Sequence, residues 1–154
     1  MKVTIINRSD HTGGAAIVSY RLMRALRTIG IDAQMLVLEK KTDDDAVVQS
    51  NDGWRDKFRF IAERLGIFMN NRFSRKNLFK VSTALWGQDL SKHSLVHDAD
   101  VIALNWINQG ALSLKGLENI CKLGKPVVWT MHDMWECTGI CHHAYDCKRY
   151  TAEC

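Results

Sequence analysis

The sequence predicts an α/β domain of the Rossmann-like, doubly wound kind with a mostly parallel sheet. Three observations carry this. A strand-helix-strand pattern fills the first 40 residues, and two further short β-branched runs follow at Asp100–Trp106 and Pro126–Thr130. A helical pattern over Leu112–Leu123 lies between those two runs, and strands alternating with helices build parallel sheets by right-handed crossovers.

Lys2–Ile6 is the first strand, an apolar run flanked by charge, and Asn7–Gly14 is a polar loop ending in two glycines. From Ala15 a helix is expected, with Val18, Leu22, Ala25 and Ile29 recurring at three- and four-residue steps and Arg21, Arg24 and Arg27 on the solvent side. Gly30 stops it, and Ala33–Leu38 returns as the second strand. Lys40–Gly53, acidic at Asp43–Asp45, reads as a surface connection. Trp54, Phe58, Ile61, Leu65 and Phe68 or Met69 then mark one stripe of a second helix. Ser74–Leu85 is either a further helix or an irregular excursion. In Leu112–Leu123, Ser113 suits the N-cap and Gly124 the C-terminal stop, with Pro126 beyond it. The run after Pro126 is too short for a buried helix and suits a strand covered on both faces.

The formal net charge of +4 is unevenly spread. Residues 54–80 carry Arg55, Lys57, Arg59, Arg64, Arg72, Arg75, Lys76 and Lys80 against Asp56 and Glu63 only, which points to an anionic surface as partner. The apolar stripe there packs on the sheet in one reading and lies in a membrane interface in the other. No nucleic-acid role is expected, because the aromatics fall on a helical stripe and not on a stacking platform. No stretch approaches the roughly 18–20 apolar residues of a membrane span, and a cytoplasmic location, peripheral at the inner membrane in the second reading, is expected.

In an open parallel sheet the ligand edge is the carboxyl end of the strands. Three loops fall there: Gly13-Gly14, Asn105-Trp106-Ile107-Asn108 and His132-Asp133. The glycine pair lacks the spacing of the dinucleotide fingerprint and the Lys-Ser/Thr of a Walker loop, but opening a helix it suits a phosphate seat. The alternative is a tight turn with close strand-helix packing. His132-Asp133 is the best functional pair in the chain, and its alternative is a hydrogen-bonded turn with Asp133 capping the next segment.

These residues carry a resemblance. Ser9–Ala16, Asp100–Asn108 and Gly124–Trp135, continuing through Thr138-Gly139 and Cys141-His142 to Cys147–Tyr150 and Cys154, resemble the N-terminal half of a family-4 glycosyltransferase of the GT-B type, especially bacterial enzymes of cell-surface polysaccharide biosynthesis. The resemblance implies a Rossmann-like acceptor-side domain over 1–135, a Cys/His-rich tail over 136–154, and a second, donor-binding domain absent from this chain, so that this fragment alone is inactive. It implies that Gly13 and Gly14 approach the diphosphate of a nucleotide-sugar, that His132, with Asp133 beside it, faces the transferred sugar, and that Asn105, Trp106 and Asn108 line the side of a saccharide or lipid-linked acceptor. The chemistry requires no cofactor. Glu136–Ile140 departs from the Pro-aromatic-Thr-Gly-Gly that the family usually places there.

Cys141, Cys147 and Cys154, with Cys137, His142 and His143 nearby, suit a structural zinc, free thiols, or a disulfide formed on oxidation. Two functions follow: the acceptor-side domain of a hexosyltransferase, or a non-catalytic Rossmann-like module that holds a phosphorylated ligand above a metal-stapled tail.

Overall fold

The structure is a computed structural model that describes residues 1–50 and 53–154. Strand β1 (Lys2–Ser9) is central, paired in parallel with β2 (Asp32–Glu39) on one side and β4 (Val101–Leu104) on the other. Short β3 (Val47–Gln49) and β5 (Val127–Trp129) close the edges, giving a five-stranded, all-parallel sheet in the order β3-β2-β1-β4-β5. Helices α1 (Gly14–Thr28), α2 (Trp54–Asn70), α3 (Ser94–Asp98) and α4 (Leu114–Cys121) flank it.

Successive strand residues face opposite sides of a sheet, so the continuous apolar runs of β1 and β2 feed two cores at once. Ile6, Leu36, Ile102 and Leu104 join Val96 of α3 and Ile120 of α4 on one face. Ile5, Met35 and Val37 join Met23 of α1 on the other. Both faces are thereby covered, and the expected α/β class with its doubly wound sheet is what the chain adopts.

Several local expectations are corrected. The stretch read as a surface connection contains β3, whose pairing with β2 is set by the buried Val47 and by Asp44, which accepts from the Ala46 amide at 2.9 Å. Asn51 and Asp52 of that stretch lie outside the described residues. α1 buries Ala16, Ser19 and Met23, while Val18, Leu22 and Ile29 are exposed. Small side chains let the helix approach the sheet closely, and the Ser19 hydroxyl is satisfied by the Ala15 carbonyl at 2.7 Å. β5 is an edge strand, not one covered on both faces: Val128 is 56% exposed. Ser113 does cap α4, accepting from the Gly116 amide at 3.0 Å.

The largest correction concerns α2. The stripe of Trp54, Phe58, Ile61, Leu65 and Met69 does not pack on the sheet and is exposed along its whole length. Glu63, Arg64 and Ile67 form the buried face instead. The Glu63 Oε1 accepts from the Thr83 and Ala84 amides at 2.9 and 3.1 Å, and its Oε2 pairs with Arg64 at 2.8 Å. Arg64 also donates to the Leu78 carbonyl and lies over the rings of Phe60 and Phe79. This buried pair takes the place of a hydrophobic contact, holding the irregular segment 71–93 against α2.

Gly87 shows how tightly that segment is then pressed onto the chain before α4. A Cβ added there would lie 2.2 Å from the Leu112 carbonyl carbon, a backbone atom that cannot rotate away. Gly87→Ala is therefore expected to cost about 1 to 3 kcal/mol as overpacking, read from the urea midpoint at constant m-value. An unchanged midpoint would mean that the two backbones are not held this close in solution.

Candidate active site

The carboxyl ends of β1, β4 and β5 build one cleft of about 450 Å³, lined by Arg8, Thr12, Gly13, Gly14, Glu39, Trp106, Gln109, His132, Asp133 and His143. Its floor is the loop between β1 and α1. Ser9 Oγ accepts from the Thr12 and His11 amides at 3.1 and 3.3 Å, which curls the loop. Asp10 is buried and ties the loop to the chain after β2, accepting from the Lys41 and Thr42 amides at 2.9 and 2.8 Å and from the Thr42 hydroxyl at 2.6 Å. These hydrogen bonds hold the Asp10 carboxyl below the usual carboxylate range despite burial, which alone would raise it.

Gly13 sits at φ 91°, a left-handed conformation that a side chain disfavours, and caps α1 without any side-chain hydrogen bond. The first-turn amides of a helix have no acceptor within it, and here nothing stands within 4 Å of where a Cβ on Gly13 or Gly14 would be. No side chain caps the helix, so its N-terminal turn faces the cleft with the positive end of its dipole. Arg8, the penultimate residue of β1, supplies a full positive charge beside them, its guanidinium donating to the Gln109 carbonyl and resting 5.2 Å from the Phe60 ring centre. Burial lowers Arg8 from its ordinary value while the Glu39 charge opposes that, and an arginine remains protonated throughout.

His132 follows β5, and its Nε2 lies 2.9 Å from the Oδ1 of buried Asn105 after β4. With Nε2 donating to that oxygen, Nδ1 is left as an acceptor. Burial lowers the imidazole below its usual value, and the neighbouring Asp133 only partly offsets this. His132 is therefore neutral near pH 7.

Asp133 has a different role from its neighbour. Its Oδ1 accepts from the Trp135 amide at 2.8 Å, and its Oδ2 from Trp106 Nε1 at 3.0 Å and from His142 Nδ1 at 2.7 Å. Both oxygens are occupied, and the turn-capping reading describes Asp133 well. His142 is buried and continues to Ser82 Oγ at 3.1 Å. Ser82, His142 and Asp133 have the order and contacts of a hydrolytic triad, but Ser82 is 0% exposed, so no substrate carbonyl reaches it. The relay instead fastens residues 80–82 and the chain after β5 to the cleft, helped by the Lys80 carbonyl accepting from the His142 amide at 2.9 Å.

The predicted site residues thus fall into two groups. Gly13, Gly14, Trp106, His132 and Asp133 meet at one cleft, whereas Asn105 and Asn108 are buried behind it, Asn105 acting through His132. Arg8, Glu39 and Gln109 line the cleft as well, with no role expected of them from the sequence. Arg8 had a signal, a lone cation at the carboxyl end of a central strand, but Glu39 and Gln109 had none. In the tail, Cys137, Cys141, Cys147 and Cys154 are all free thiols. Burial pushes the Cys141 thiol up, and the nearby Cys154 and Cys147 add to that. Among the described residues no three Cys, His, Asp or Glu side chains are arranged to hold a metal ion.

By fold, this is an α/β domain with a cleft at the carboxyl edge of a parallel sheet. Comparison with protein-family models, with curated proteins and with solved structures finds no match to the chain.

Proposed function

We propose that the chain is the acceptor-side domain of a nucleotide-sugar-dependent glycosyltransferase. The observation that carries this reading is the meeting, in one cleft, of an uncapped helix N-terminus, Arg8 and a neutral, oriented His132. In the reaction, the bond between the anomeric carbon and the diphosphate oxygen breaks and its electron pair leaves with the diphosphate. The α1 amides and Arg8 stabilise that growing negative charge. His132 Nδ1 accepts a hydrogen bond from a sugar hydroxyl and so fixes the ring, while an acceptor hydroxyl oxygen bonds to the anomeric carbon and passes its proton to the departing diphosphate oxygen. The hexosyl group passes to a saccharide or lipid-linked acceptor, and most donor contacts belong to a second domain.

A second reading, a module that holds a phosphorylated ligand without chemistry, is favoured by the occupation of both Asp133 oxygens, which removes one carboxylate from proton transfer. Amide NMR titration with UDP- and GDP-sugars separates the two. The glycosyltransferase domain is expected to bind them at about millimolar strength, with shifts centred on Gly13–Ala16 and weakened several-fold by Arg8→Gln. Submicromolar binding would favour the stand-alone module. No shift at those amides up to about 10 mM would overturn both readings.

A further inference from the structure

Helix α2 carries its polarity inside out. Trp54, Phe58, Ile61, Leu65 and Met69 stand on its outer face, with Trp54 73% and Ile61 60% exposed. The apolar surface is continuous beyond the helix: Trp54 meets Phe58 edge-on at 6.3 Å between ring centres, and Phe58 meets Trp86 at 6.2 Å, beside exposed Leu85. An amphipathic helix placed for its own stability would bury that stripe. This one buries a carboxylate-guanidinium pair and shows its aromatics to solvent.

The charges around the stripe identify what covers it. Between Trp54 and Gln88 the only acidic residues are Asp56 and Glu63, of which Glu63 is buried and Asp56 half-buried. Asp56 accepts from Gln88 Nε2 at 2.6 Å and pairs with Arg59 at 3.0 Å, and Glu63 is fully buried against Arg64. Lys57 on the helix and Arg72, Arg75, Lys76 and Lys80 just after it are exposed. Among the described residues of 54–88, the exposed surface therefore offers aromatic and aliphatic groups together with cations, and its one accessible carboxylate, Asp56, is already paired with Arg59. A hydrophobic protein partner would match the stripe but leave the cations without counter-charges. An anionic bilayer matches both, with apolar side chains at the boundary between headgroups and acyl chains and ammonium and guanidinium groups among the phosphates.

We propose that the outer face of α2, extended by Leu85 and Trp86 and bordered by Arg72, Arg75, Lys76 and Lys80, docks the protein on an anionic lipid surface. Docking there has a geometric consequence. Asp56, Lys57, Phe60 and Ile61 of α2 also line a second cleft of about 550 Å³, which Arg8 and Glu39 line as well, so the docked helix sets that cleft beside the lipid headgroups. The proposal stands on α2 alone and does not depend on glycosyl transfer.

Flotation of the full chain with vesicles tests it. At low salt the protein is expected to rise with phosphatidylglycerol vesicles and to stay down with phosphatidylcholine vesicles. Each cation near such a surface is worth a factor of about five in partitioning, so raising the salt or replacing Arg72, Arg75, Lys76 and Lys80 together by Gln should lower the partition coefficient at least tenfold. Ile61→Ser/Leu65→Ser should lower it by about as much, because both side chains are exposed and their loss leaves the core intact. Circular dichroism and melting of each variant confirm that the fold is retained. Four results would overturn the proposal: no flotation of the wild type, equal flotation with neutral vesicles, unaltered flotation of the folded quadruple Gln variant, or a concentration-dependent dimer in sedimentation that the Ser variant abolishes, which would make a second copy the occupant.

Discussion

Replacing Glu63 by Ala is expected to lower the melting temperature by about 6 to 20 °C. Removing one partner of a buried ion pair costs about 3–5 kcal/mol, and each kcal/mol is worth roughly 2–4 °C in a chain of this size. The side chains of Glu63 and Arg64 are 0% and 8% exposed, so the abandoned guanidinium has little water to turn to. The loss should be local as well as global. Segment 71–93 loses the acceptor of the Thr83 and Ala84 amides, and its hydrogen exchange should accelerate before that of β1 or β2. The double variant Glu63→Leu/Arg64→Met separates charge from scaffold. It removes the buried charges and should regain part of the stability, leaving a deficit of about 1–3 kcal/mol for the orphaned amides. A single variant that melts within a degree of the wild type would show that water reaches the pair in solution.

The second large effect is on catalysis. In the intact enzyme of the proposed function, His132→Ala is expected to reduce kcat/KM by about 10- to 1000-fold, the usual cost of one transition-state hydrogen bond. The fold should barely register the change, because His132 makes a single side-chain bond to Asn105, worth about 1 kcal/mol. The imidazole acts as an acceptor at Nδ1, so the rate should be level around neutral pH and fall as acid protonates the ring. Burial, which holds His132 below its ordinary value, moves that fall to lower pH than for a free histidine. If kcat/KM is unchanged, or falls only together with the melting temperature, the histidine is a structural residue.

How legible all this was in the sequence depended on whether the signal was local. The β1-α1-β2 unit, the Ser113 cap and the glycine pair were readable because each is decided within a few residues. The outward turn of α2 was not readable. Periodicity reveals that a helix has an apolar face, but not which way the fold points it, and only the contacts of Glu63 with residues 83 and 84 decide that. The same limit explains α1, where Ser19, not Val18, meets the sheet. β3 was hidden by its length, three residues after an acidic run. The division of roles between His132 and Asp133 was hidden because Asp133 is engaged by Trp106 and His142, distant in one case and placed in the cysteine tail in the other.

Arg8 forms a wall of two clefts at once, one with the glycine pair and His132, the other with Lys57, Phe60 and Ile61. A single guanidinium cannot give its full charge to an occupant on each side. Two anions, one per cleft, would therefore compete for it, and each would weaken the other by the same factor, since coupling between two sites is reciprocal. An anion on one side and a neutral group on the other would meet no such penalty.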